Sequence, residues 1–148
     1  MIDKKAFKKT LADGLRVLGF QSYSNGWKYS TDELTIFFEP QKSSYDQTYF
    51  LNVYIRLTAG ESAEDWHVNC RVERLLNIES SHLDLLKVDA AEWVPEDHES
   101  RLADFVKGEI VPKLNQLLTV DGLRQAWRSG QMKGCLVHRE LKILFEMS

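Results

Sequence analysis

The N-terminal segment has the apolar spacing of an amphipathic helix. Its large apolar residues recur at intervals of four, four and three positions, on one helical face: Phe7, Leu11, Leu15 and Leu18. Asp3 is a suitable N-cap and Gly19 a suitable C-terminal residue for this helix. We therefore expect the chain to begin with a helix that packs one side against a core.

The pattern then changes to that of strands. Asn25-Gly26 is typical of a two-residue hairpin turn, and strand-like alternation follows at Glu33–Glu39, Thr48–Thr58 and Trp66–Arg74. The connecting segments are rich in turn-forming residues. These features predict an antiparallel meander of four to five strands. "LDLLKV", within the ambiguous region from Ile78 to Asp97, fits a short fifth strand.

The last third of the chain has helical spacing. One apolar stripe, with a bend expected where Pro112 opposes Gly108, consists of Leu102, Phe105, Val106, Ile110, Leu114, Leu117 and Leu118. Two shorter helices follow, the first capped by Thr119. The predicted fold is a single α+β domain over residues 1–148. It has an N-terminal helix, the antiparallel meander and C-terminal helices packed on one sheet face.

Pairing the strands from their turns divides the sheet into two layers. Centred turns place Ser24 opposite Trp27, Tyr29 opposite Leu34 and Phe38 opposite Tyr49. The layer that contains these large apolar residues, continued by Val68, Cys70 and Val72, is expected to face the helices. The other layer comprises Tyr23, Lys28, Thr35, Phe37, Glu39, Phe50, Asn52, Tyr54, Arg56, His67, Asn69, Arg71 and Glu73.

The second layer is the outer face of an antiparallel sheet, and such a face can be left to water. The same pairing places Phe37 opposite Phe50 and Tyr54 close to Arg71. A two-residue register shift would oppose Arg56 and Arg71, which would favour an anionic ligand. Asn52, Tyr54, Arg56, His67, Asn69 and Arg71 are the candidate binding residues on this face.

Charge and motifs exclude several function classes. The formal net charge of -3 argues against nucleic acid or an acidic membrane as a partner. No apolar run approaches the length of a membrane span, and the charged N-terminus does not resemble a signal peptide. The sequence contains no P-loop, GxSxG, GxGxxG or HExxH motif and predicts neither a metal site nor a cofactor.

The two cysteines, Cys70 and Cys135, match no paired metal or redox spacing. We interpret them as reduced thiols in a cytoplasmic protein.

Several short segments resemble a bacterial family called domain of unknown function 4304. They are "LRVLGF", the hairpin with Trp27 and Tyr29, "QKSS" at 41–44, "YFLNVYI" and "HVNCRVERLL", spanning about Phe7 to Leu123. A glycine is common in that family at the position of Tyr54. The resemblance implies a small cytoplasmic bacterial α+β protein without an established activity. Gln41, Lys42, Ser43 and Asn52 match the motif, although "QKSS" can also be a turn that satisfies its own backbone.

Two functions from different classes remain open. The first is a non-enzymatic protein-binding module, of the inhibitor or immunity type, whose outer sheet face takes an acidic segment of another protein. The alternative is a protein or enzyme with a small anionic ligand on the same face, where His67 would carry protons. A third possibility is self-association through the sheet or its edge, and the sequence does not fix the oligomeric state.

Overall fold

The computed structural model describes residues 4–45, 48–58, 66–86 and 98–146. It contains a six-stranded antiparallel sheet whose strands are neighbours in chain order. The strands are β1 Gln21–Tyr23, β2 Gly26–Ser30, β3 Leu34–Lys42, β4 Tyr49–Leu57, β5 Val68–Arg71 and β6 Leu136–Val137. The α-helices are α1 Lys4–Val17, α2 Val72–Leu75, α3 His98–Phe105, α4 Val111–Asn115, α5 Val120–Arg128 and α6 Arg139–Glu146. This arrangement confirms the predicted α+β class.

Helix α1 packs through the predicted apolar face. Phe7, Leu11 and Leu15 are completely buried, and the Phe7 ring lies 5.0 Å from the ring of Tyr49 in β4. The helix ends at Val17, and Gly19, two residues later, has a positive φ of 98° and donates its N–H to Arg16 O. Asp3, the expected N-cap, lies outside the described residues.

The helices lie on one face of the sheet, as predicted. The apolar layer of the strands merges with the helical side chains into one buried cluster that includes Ile36, Val53, Leu102, Ile110, Leu123 and Phe145. On the opposite face Arg56, Asn69 and Arg71 are exposed to solvent. The C-terminal helices therefore leave that part of the outer face uncovered.

The strand register differs from the predicted one, while the residues within the strands lie on the faces to which they were assigned. His67 and Glu73, both assigned to the outer layer, lie outside the strands. Tyr23 pairs with Gly26 and Ser22 with Trp27, so the turn residues are Ser24 and Asn25, and Ser24 has φ 52°. Phe38 pairs with Val53 rather than with Tyr49. The turns are not centred where their sequences suggest. Each register shift changes the pairing by an even number, which keeps every side chain on its own face.

Three predicted elements have other boundaries or another conformation. The strand expected at Trp66–Arg74 is only Val68–Arg71, because the chain turns into α2 at Val72. The "LDLLKV" segment is not a strand, since the chain is a 3₁₀ helix over Ser80–Leu86 and the following residues lie outside the described ranges. The sixth strand, β6, comes from a region that was expected to be helical and pairs Val137 with Val68.

The bend expected in the C-terminal stripe is a π-helical turn over Val106–Ile110, between α3 and α4. Pro112 has no N–H to donate to the carbonyl of Gly108, four residues earlier. A wider hydrogen-bonding pattern before the proline accommodates this missing donor.

The two cysteines are joined, which contradicts the interpretation of them as reduced thiols. Cys70 in β5 and Cys135 form a disulfide with their Cα atoms 4.7 Å apart, although 65 positions separate them in sequence. Chain distance alone gave no indication of this pairing, because β6 brings residue 135 beside β5 only in the folded sheet. The disulfide attaches the C-terminal segment to the sheet.

Candidate binding face on the outer side of the sheet

The outer face is defined here as the sheet surface opposite the helices. Its side chains on β2 to β5 are Lys28, Ser30, Thr35, Phe37, Glu39, Gln41, Phe50, Asn52, Tyr54, Arg56, Asn69 and Arg71. The register sets them in rows across the strands. One row contains Lys28, Phe37, Tyr54 and Asn69, and the next contains Glu39, Asn52 and Arg71.

Four aromatic rings pack together over the middle strands and form what we call the aromatic cluster: Tyr23, Phe37, Tyr54 and Trp66. The Phe37 ring lies 6.0 Å from that of Tyr54 and 6.0 Å from that of Trp66. Tyr54 and Trp66 are 5.5 Å apart, and Tyr23 meets Phe37 edge-on at 5.6 Å. Phe37 is only 7% exposed in consequence. This patch is apolar and packed, although it lies outside the core.

Trp66 was missed as a member of this face. Strand alternation would place it with Val68 on the core side. The ladder of β5 begins only at Val68, however, so Trp66 precedes the strand and its ring lies on Phe37 and Tyr54. The predicted pair of Phe37 with Phe50 is also wrong, because Phe37 pairs with Tyr54.

The two arginines of the face do not lie opposite each other. Arg56 pairs with Thr35, whereas Arg71 pairs with Asn52 and its guanidinium carbon lies 3.9 Å from the centre of the Phe50 ring. Tyr54 pairs directly with Asn69, so Tyr54 and Arg71 are diagonal neighbours on adjacent strands. The like-charge crowding that would have favoured an anion is therefore not formed.

Arg56 and Arg71 are exposed, and within the described residues neither forms an ion pair. Lys28 adds a third cation, with its Nζ 4.6 Å from the centre of the Tyr23 ring. Glu39 is the carboxylate in the same rows. The outer face is thus cationic on a chain whose net charge is -3.

Asn52 has a structural role. It is only 7% exposed, and its Nδ2 donates a 2.7 Å hydrogen bond to Gln41 Oε1. Gln41 and Lys42 end β3 and are exposed, and Ser43 accepts a hydrogen bond from the N–H of Tyr45 through its Oγ. The "QKSS" segment is therefore a strand end followed by a hydroxyl-stabilised turn.

Tyr54 remains a neutral phenol. Burial raises its pKa above the usual value, the nearby Glu39 carboxylate raises it further, and a hydrogen bond with Asn52 lowers it. A phenol with a raised pKa is a poor general base at neutral pH. The residue contributes an apolar ring and a hydroxyl, which suits binding rather than proton transfer.

His67 does not lie on the outer face. It is 3% exposed, and its Nδ1 accepts a 3.0 Å hydrogen bond from the backbone N–H of Leu57. The residue precedes β5, so its imidazole turns inward against the end of β4. Its expected role as a proton carrier on the face fails, because no solvent-facing substrate could reach the ring.

Two surface cavities of about 540 Å³ each lie away from the outer face. One is between α1 and α3 and is lined by Thr10, Gly14 and Glu99. The other lies near the end of α2 and is lined by Arg74, Lys113 and Gln131. Neither is lined by an outer-face residue. In the described ranges no group of three His, Cys, Asp or Glu side chains could hold a metal ion.

No described helix combines the length and the apolar character needed to cross a membrane. No family model matches the chain, and neither a curated protein nor a solved structure does. The resemblance to domain of unknown function 4304 remains a prediction.

Proposed function

We propose that the protein is a non-enzymatic binding module, of the inhibitor or immunity type, and that its outer face binds an acidic segment of another protein. The observation that carries the proposal is the pair of exposed arginines, Arg56 and Arg71, beside the aromatic cluster. Each guanidinium offers five donors in a planar fork that matches a carboxylate. Aromatic residues and arginine are also the types that are enriched at the centres of protein interfaces.

The arrangement of charges supports an acidic partner. The outer face carries three cations, Lys28, Arg56 and Arg71, and one carboxylate, Glu39, while the chain as a whole is acidic. A cationic patch on an acidic protein attracts a complementary partner and sets its orientation. Asn69, exposed between Tyr54 and the edge of the sheet, adds an amide that both donates and accepts hydrogen bonds.

An extended partner suits this surface better than a small anion does. Small ligands bind in concave sites that bury most of their surface, and the two described cavities lie elsewhere. Arg56 and Arg71 also lie on different rows, so they would contact separate groups of a longer ligand. The small-anion alternative rests on the same residues and predicts a bound molecule rather than a companion protein.

The disulfide is evidence about the cellular compartment in which the protein resides. Disulfides are typical of oxidising environments and are rare in the cytoplasm, so Cys70–Cys135 weighs against the expected cytoplasmic location. Acid quenching of intact host cells, followed by alkylation of the denatured protein, tests this point, because Cys70 is buried in the folded chain. Two alkylated cysteines would support the cytoplasm, and two protected ones an oxidising compartment.

Native mass spectrometry of the protein recovered gently from its own host tests the proposed function. We expect a stoichiometric companion protein that contains an acidic segment. A bound small anion would instead support the alternative, and a bare monomer at every expression level would contradict the binding proposal.

A further inference from the structure

His67 occupies a position where a histidine must be uncharged for the backbone to be satisfied. The N–H of Leu57, the last residue of β4, donates to Nδ1 of His67 at 3.0 Å. An imidazole nitrogen can accept only when it carries no proton. The ring is therefore the neutral tautomer with its proton on Nε2.

The histidine joins the end of β4 to the C-terminal segment. Its backbone N–H donates to Ile55 O at 2.8 Å, and its carbonyl accepts from the N–H of His138 at 2.7 Å. Its Nε2 is buried without a hydrogen-bond partner in the described residues and lies 3.9 Å from Oε2 of Glu140 in α6. One residue thus contacts β4, the residue that links β6 to α6, and α6 itself.

We infer that His67 is a proton-sensitive latch that holds the C-terminal segment, residues 136–146, against the end of β4. Protonation places a hydrogen on Nδ1, opposite the N–H of Leu57, so two donors would face each other. The Leu57 hydrogen bond is then lost, and the end of β4 separates from the ring. This inference does not depend on the proposed binding function.

Some of the groups around His67 lower its pKa and one raises it. Burial is the main cause that lowers its pKa below the ordinary value of 6.5, and His138 and Arg56 lower it as well. Glu140 alone acts the other way and raises it. A histidine with a lowered pKa stabilises the fold above its ordinary pKa, and this contribution is lost as the pH falls through the lowered value.

His98 provides a matched control. It is also buried, at 2% exposure, but its Nε2 donates to the carbonyl oxygen of Leu85 at 2.8 Å. A donated hydrogen bond survives protonation of the other nitrogen, whereas the accepted bond of His67 does not. The two histidines therefore differ in the one property on which the latch depends.

Nitrogen-15 NMR of the full chain tests the latch directly. At about pH 7.5 we expect His67 to carry its proton on Nε2 alone. In acid, at the pH where the nitrogen-15 shifts show the His67 ring to be protonated, the exchange protection of the Leu57 and His138 amides, corrected for the intrinsic effect of pH, should fall about tenfold, as expected for the loss of a backbone hydrogen bond. A proton on Nδ1 at neutral pH, or unchanged protection in acid, would overturn the inference.

His67→Asn separates the latch from general acid sensitivity. The Asn side chain offers a non-titrating acceptor near the position of Nδ1, so the variant should keep its Leu57 protection in acid. His98→Gln should lose protection as the wild type does. Equal acid loss in wild type and His67→Asn would overturn the latch. If His67→Asn does not fold, the nitrogen-15 titration of the wild type still shows whether protonation of His67 removes the Leu57 hydrogen bond.

Discussion

The guanidinium of Arg71 lies over the ring of Phe50, with its central carbon 3.9 Å from the ring centre, on two neighbouring strands. Phe50 pairs with Gln41 and Arg71 pairs with Asn52, so the two side chains are diagonal neighbours on the outer face. Long side chains reach across such a diagonal. The contact sets the position of a cation that is otherwise exposed to solvent.

Removing this cation should have little effect on folding. We expect Arg71→Ala to lower the free energy of unfolding by no more than about 1 kcal/mol, because an exposed cation–π contact contributes about 0.5–1 kcal/mol. Urea denaturation measures the change. A loss of several kcal/mol would show that Arg71 is a structural residue, and it would no longer be a clean probe of binding.

Tyr54 and Phe37 are expected to matter for stability as well as for any partner. The Tyr54 ring packs against both Phe37 and Trp66. We expect Phe37→Ala to lower the free energy of unfolding by about 3 kcal/mol, as for a buried ring. Tyr54→Phe keeps the ring and should cost less than about 1 kcal/mol.

Denaturation of the two variants side by side checks this prediction. Equal losses for Phe37→Ala and Tyr54→Phe would mean that the hydroxyl, and not the packing of the rings, stabilises the aromatic cluster.

Asn52 and Asn69 should respond differently to the same substitution. Asn52→Asp places a carboxylate in a buried position beside the Gln41 carbonyl and in the same row as Glu39. We expect a loss of about 2–3 kcal/mol at neutral pH, partly recovered in acid when the carboxyl is protonated. Asn69→Asp is exposed and should change stability by less than about 0.5 kcal/mol. Similar losses at the two positions would refute the buried role of Asn52.

The disulfide should stabilise the attachment of the C-terminal segment. Cys135→Ser, or reduction of the wild type, should lower the free energy of unfolding by about 2–4 kcal/mol, because the crosslink restricts a long loop in the unfolded chain. The control is the reductant itself, which should have no effect on Cys135→Ser. If the reductant does not change the free energy of unfolding of the wild type, the disulfide is not formed.

The sequence predicted the face of each residue within the strands correctly and the register incorrectly, for physical reasons. Side chains alternate with a period of two, so Phe38 and Val53 belong to the core side and Asn52 and Arg71 to the other under any even shift. The register depends on where each turn begins, and centred turns were the wrong assumption.

The features that the sequence could not predict depend on contacts between residues that are far apart in the chain. The disulfide depends on β6, a two-residue strand with no local pattern of its own. Trp66 joins the aromatic cluster because β5 starts two residues later than alternation suggests. His67 leaves the face because its ring replaces a backbone partner of Leu57. Each of these depends on contacts with other strands.

The most direct test of the proposed binding face is charge reversal on opposite sides of the molecule. Arg71→Glu reverses a cation on the outer face, and Arg101→Glu reverses an exposed cation on α3, on the helical side. Both variants should remain folded, Arg71→Glu with a free energy of unfolding within about 1 kcal/mol of the wild type because it loses the contact with Phe50. Each is used, with the wild type, to capture the companion protein from host lysate, and the captured amount is measured by quantitative mass spectrometry.

We predict that Arg71→Glu loses most of the companion, whereas Arg101→Glu retains it at the wild-type level. Equal retention by the two variants, or loss with Arg101→Glu alone, would contradict a binding site on the outer face.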